Sequence, residues 1–153
     1  MATVSLRPIT STNVREILDL RVSPEQEKFV APNAYSLSEA LFEPKAWYRA
    51  VYADETPVGF IMMEEDPGQG KYYLWRFLID AKHQGKGYGY QAIQLLIERV
   101  KQLPNAREMT LSYVPDEHSP QPFYQKLGFV DTGETDEDEL IMRLTFEPQS
   151  SSS

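Results

Sequence analysis

The sequence predicts a mixed α/β (α+β) domain built on a central sheet, and three observations carry that expectation. Between residues 72 and 114 a strand, a glycine-rich loop, a helix and a second strand follow one another. That is the order of a βαβ crossover, whose two strands lie parallel. Two runs rich in aromatic and β-branched residues flank residues 54–57, as the arms of a hairpin would. Ala92, Ile93, Leu96, Ile97 and Val100 recur at helical spacing over residues 90–103.

Each element has a local reason. Residues 4–9 alternate like a short strand. Ser11 or Thr12 can cap a helix over residues 13–21, with Val14, Ile17, Leu18 and Arg21 on one stripe. Ser36, Leu37, Ser38 and Glu39 have the form of a capping box, predicting a second helix from there to about Phe42. Residues 47–53 and 58–64 read as paired strands, and Pro67, Gly68, Gln69 and Gly70 as a turn. The apolar run 71–80 predicts a strand buried on both faces. Pro104 ends the long helix, and residues 108–114 form a further strand. Residues 123–127 make a short helix stopped by Gly128. Residues 129–133 and 139–146 are strands around an acidic hairpin tip. One domain is expected over residues 1–147, with residues 148–153 as a Ser-rich, disordered tail.

Composition narrows the function. At 153 residues the chain fits one core, and 41% hydrophobic residues is an ordinary fraction for one. There is no cysteine, which excludes disulfides and thiolate metal sites. His83 and His118 have no ligand partners at a useful spacing, so no metal is expected. The net charge of −8 disfavours nucleic acid and anionic membranes and favours cations. No secretory leader or apolar span is visible, and a cytoplasmic protein is expected.

The informative segment is the loop of Gln84, Gly85, Lys86, Gly87, Tyr88 and Gly89, which a strand enters and a helix leaves. Its glycines allow tight turning and close approach to peptide N–H groups. The first turn of a helix offers unpaired N–H groups and partial positive charge, a setting for phosphate. Lys86, and Lys82 before it, add charge. A Walker A loop fails because Gly87 follows Lys86, and the dinucleotide fingerprint fails because Tyr90 stands where its last glycine belongs. The pattern Gln/Arg-x-x-Gly-x-Gly/Ala is met by Gln84, Gly87 and Gly89.

With this loop, the strand of Phe77, Leu78, Ile79 and Asp80, and the later run Phe123, Tyr124, Gln125, Lys126, Leu127, Gly128, Phe129, the sequence resembles the GNAT superfamily of acetyltransferases. The resemblance implies a GNAT-like mixed sheet with a splayed parallel strand pair and helices on both faces. It implies acetyl-CoA (coenzyme A after transfer) as co-substrate, held by the backbone of Phe77, Leu78 and Ile79 and by the loop from Gln84 to Gly89. It implies that Tyr124 protonates the leaving thiolate. Asn and Ala are common in that superfamily where Glu117 and Pro120 stand here. A homodimer is an assembly the resemblance leaves open.

Within the superfamily the chain is most similar to bacterial spermine/spermidine (diamine) acetyltransferases. The cues include Gln26, Phe29, Val30, Asn33, Glu39, Trp75 and Arg76. A polyamine is an extended cation that an acidic cleft attracts. Glu25, Glu27, Glu39, Glu64, Glu65 and Glu117 are the candidate carboxylates. The animal polyamine enzymes carry acidic residues where Trp75 and Arg76 stand, so Glu64 and Glu65 are the substitute candidates for the base. Tyr72 and Trp75 are candidates for the acceptor channel, with Glu39 and Glu117 beside it. Arg76 would then pair with a carboxylate. Another small amine, a protein N-terminus, or a non-catalytic acyl-CoA-binding role stay open as alternatives.

Overall fold

The computed structural model describes residues 2–146. The tail expected at residues 148–153 lies outside the described residues. Strand β1 (Val4–Arg7) leads to helices α1 (Val14–Asp19) and α2 (Asn33–Ala40). The antiparallel strands β2 (Ala46–Ala53), β3 (Thr56–Asp66) and β4 (Lys71–Ile79) follow. Helix α3 (Tyr88–Lys101) crosses over to β5 (Glu108–Tyr113). Helix α4 (Gln121–Lys126) precedes the hairpin of β6 (Val130–Asp136) and β7 (Glu139–Thr145).

The seven strands form one sheet in the order β1-β2-β3-β4-β5-β7-β6, with β4 and β5 parallel as the crossover predicts. Alternation along the strands sorts side chains between two layers. Ala50, Phe60 and Met62 face α1, where Ile17 is fully buried. Val51, Ile61 and Met63 face α3, whose Ala92, Ile93, Leu96, Ile97 and Val100 stripe is buried against them. Each of the Val, Leu, Ile, Met and Phe side chains among them, when fully withdrawn from water, contributes about 1.5–3 kcal/mol.

Two local expectations are corrected. Ser36 caps nothing: α2 begins three residues earlier, at Asn33, and Ser36 is buried within it. Pro32 fixes that start, and Asn33 donates its side-chain amide to Ile17 O at 2.7 Å, joining α2 to α1. The first helix is preceded by Asn13 rather than capped by Ser11 or Thr12; Asn13 Oδ1 accepts from Thr10 N at 2.8 Å.

Two features of β4 shape the site. Met62 pairs with Arg76 and Met63 with Leu74, so Trp75 has no partner on β3. An extra residue of this kind bends its strand and shifts the in/out alternation by one. On the other edge, β4 and β5 register only at Tyr73↔Thr110 and Leu74↔Leu111, and beyond Leu74 the two strands diverge. The expected burial of β4 on both faces therefore fails in its middle. Trp75, Arg76 and Phe77 are only half-buried, because no strand covers them on that edge.

Candidate active site

The divergence of β4 and β5 opens a cleft of about 1170 Å³. Its walls are β4 from Tyr73 to Ile79, the ends of β5 and α4, the glycine loop, and the segment before α2. Phe77, Leu78, Ile79, Gln84, Gly85, Gly87, Tyr88, Gly89, Trp75 and Tyr124 line it together.

The loop is anchored at its entrance. The buried Asp80 carboxylate accepts from Arg21 N at 2.8 Å and Lys82 N at 3.2 Å. Gln84 donates its side-chain amide to Ile79 O and to Gln26 Oε1, both at 2.8 Å. Gly87 sits at φ 81°, a left-handed conformation that disfavours a Cβ, and immediately precedes α3. The helix begins at Tyr88, two residues before the expected start. Its first backbone bond runs from Gln91 N to Gly87 O at 3.2 Å, leaving the N–H groups of Tyr88, Gly89 and Tyr90 without a helical partner. These donors, at the positive end of a helix of 14 residues, suit an anion such as a pyrophosphate. Lys86 is exposed and does not line the cleft.

Tyr124 projects from α4 and is packed edge-on by Phe123 and Phe129, with ring centroids 5.1 and 5.8 Å away. Its hydroxyl has no hydrogen-bond partner among the described residues. Burial pushes the phenol well above the usual tyrosine range. Such a group stays protonated at neutral pH and can serve as a proton donor.

The other predicted residues lie elsewhere. Glu64 and Glu65 sit opposite Tyr73 and Tyr72, at the closed end of the strand pair, and neither lines the cleft. Glu65 is bound by Arg99 and Glu64 lies 3.9 Å from Lys71. Tyr72 turns into the α3 layer and donates to Pro104 O at 2.5 Å. Glu39 accepts from Arg76 at 2.8 Å, the pairing expected for that arginine. Glu117 is exposed, 3.4 Å from His118. Of the remaining carboxylates, Glu27 reaches the cleft and Glu25 does not.

Gln26, Tyr73, Ser112 and Glu139 also line the cleft, although the sequence did not mark them as site residues. Ser112 stands on the polar side of β5, whose burial alternates strictly. That alternation was the one sequence signal available for it. Among the described residues no three His, Asp or Glu side chains are grouped to hold a metal ion. No described helix is long and apolar enough to cross a membrane.

Comparison with known proteins agrees with this geometry. The sequence profile of the Acetyltransferase (GNAT) family matches residues 14–129. The spermine/spermidine N(1)-acetyltransferase of Bacillus subtilis (strain 168) is 30% identical over 141 residues, covering 87% of this chain and 91% of that protein. Among solved structures, an acetyltransferase from Thermus thermophilus superposes with a TM-score of 0.74 at 19% identity, over 95% of this chain and 100% of that one. The PaiA N-acetyltransferase from Thermoplasma acidophilum, solved in complex with coenzyme A, gives a TM-score of 0.68 at 20% identity, over 94% and 99% of the two chains. At those identities the structural likeness concerns the fold.

Proposed function

The chain belongs to the acetyltransferase (GNAT) family, and from that membership we propose that it moves the acetyl group of acetyl-CoA to a primary amine, with polyamines such as spermidine and spermine as acceptors. The observation that carries the reading is the cleft itself. It joins free N–H groups at the start of α3, an uncovered edge of β4 and an unpartnered, protonated tyrosine.

The residues divide the work. The N–H groups of Tyr88, Gly89 and Tyr90 receive the pyrophosphate. The backbone of Phe77, Leu78 and Ile79, beyond the last β4–β5 pair, positions the pantetheine arm and thioester. The amine nitrogen attacks the acetyl carbon, the C–S bond breaks, and Tyr124 gives its proton to the departing thiolate. Trp75 offers an apolar wall for an alkyl chain. Glu65 is held by Arg99 and Glu64 lies 3.9 Å from Lys71, and neither lines the cleft, which favours another group for the amine's proton.

The polyamine choice is supported by the Bacillus subtilis relative and by the net charge of −8. An acceptor panel of spermine, spermidine, a monoamine, an aminoglycoside and an N-terminal peptide, read by acetyl-CoA-dependent thiol release, tests it. Spermidine and spermine are expected to give the highest kcat/KM. Turnover of the peptide without turnover of spermidine would overturn the polyamine reading. No thiol release with any amine, despite tight acetyl-CoA binding, would favour an acyl-CoA-binding role.

A further inference from the structure

We propose that Tyr73, Ser112 and Glu139 form a relay that takes the proton of the incoming amine, with Tyr73 as the group that meets the substrate. The proposal rests on the acetyl-transfer reading of the cleft.

The three side chains come from β4, β5 and β7 and line the floor of the cleft, beside the last paired residues before the parallel strands part. Tyr73 Oη lies 2.6 Å from Ser112 Oγ, and Ser112 Oγ lies 2.8 Å from Glu139 Oε1. The polarity of this chain follows from counting protons. An ionised carboxylate only accepts, so the single Ser112 proton points to Glu139. Ser112 then has only lone pairs for Tyr73, so the Tyr73 hydroxyl donates to it. The Tyr73 oxygen keeps an acceptor lone pair for a donor arriving in the cleft. The wire runs one way, from the cleft to a carboxylate that meets no cation within salt-bridge distance among the described residues.

A primary alkyl amine resembles the lysine ammonium, with a pKa near ~10, so it arrives protonated at neutral pH and cannot attack. In the relay the ammonium N–H bond breaks as its proton passes to Tyr73 Oη. The Tyr73 proton passes to Ser112 and the Ser112 proton to Glu139. The products are a neutral amine and a neutral carboxyl group, and no tyrosinate accumulates. Burial raises the Tyr73 phenol, as do the Glu139 and Asp136 charges, while the Ser112 bond and Arg76 act the other way. The net upward direction keeps Tyr73 a neutral carrier. Arg76, on the same strand, is held by Glu39 of α2.

The test compares wild type with Ser112→Ala, Glu139→Gln and the double variant across pH, using spermidine as acceptor. Ser112→Ala removes the wire while keeping every charge, and calorimetric acetyl-CoA binding checks that each variant is folded. Each variant is expected to lose about 10²-fold in kcat at neutral pH. The double variant should lose no more than the worse single one, because one break already opens the wire. The deficit should close as pH approaches ~10, where the free amine supplies itself. A Ser112→Ala enzyme within about twofold of wild type at neutral pH, or a loss independent of pH, would overturn the relay while leaving acetyl transfer intact. A wild type inert towards every amine would overturn the acetyl-transfer reading and the relay with it.

Discussion

Arg99 grips the carboxylate of Glu65 through both terminal guanidinium nitrogens, Nη2 to Oε1 at 3.0 Å, and its Cζ lies 3.7 Å above the centroid of the Trp47 ring. The cluster ties α3 to β2 and β3 at the end of the sheet away from the opening. A carboxylate so engaged has a structural effect. Glu65→Gln should lower unfolding free energy by about 1–3 kcal/mol, read as a shift in urea midpoint. Its kcat with any good amine should stay within about twofold of wild type. A large kcat loss at unchanged stability would return Glu65 to the chemistry.

Tyr124→Phe removes one hydroxyl that has no hydrogen-bond partner among the described residues. A general acid is worth about 10²-fold or more, so kcat should fall by at least that factor. The Kd for acetyl-CoA, from calorimetry, should barely move, since the ring packing against Phe123 and Phe129 survives. Equal turnover in the variant would remove Tyr124 from the mechanism.

Gly87→Ala places a Cβ at φ 81°. That conformation costs an L-residue about 1–2 kcal/mol, and relief of the strain would turn the adjacent N–H groups away from the cleft. The expected result is acetyl-CoA affinity about tenfold weaker by calorimetry, with amine discrimination unchanged. An unaltered Kd would show that the loop does not hold the pyrophosphate.

Tyr113 gives a pH dependence of stability. Burial and its hydrogen bond to Asp131 push the phenol up to about 12. Its folded pKa is above the unfolded value of about 10, so this stabilisation is fully present below pH ~10 and is lost as pH rises towards 12. Urea midpoints measured on either side of that interval should drop for wild type more than for Tyr113→Phe. Parallel curves for the two proteins would contradict the assignment.

The place of the loop beside the cleft was legible because its glycines, strand and helix agree locally, and that of Tyr124 through the resemblance carried by the run from Phe123 to Phe129. The mixed sheet and its parallel pair were legible because the crossover is read directly from element order. Register was not. The unpaired Trp75 shifts the β3–β4 alignment, and Glu64 and Glu65 come to rest beside Tyr73 and Tyr72 rather than by the opening. Ser36 looked like a cap because a capping box is defined by four residues, whereas the packing of Asn33 against Ile17 decides where α2 starts. Tyr73, Ser112 and Glu139 are 39 and 27 positions apart along the chain, and no local pattern joins them.

The parting of β4 and β5 also bears on how the molecule holds together. The seven strands are two leaves, one of four and one of three, stitched by two residue pairs. Whatever fills the wedge through backbone contacts completes the ladder, acting as a splice between leaves. The two leaves share one core beneath α3, so ligation should act on the seam alone, adding slow amide exchange to the strand residues that face each other across the wedge only when it is filled.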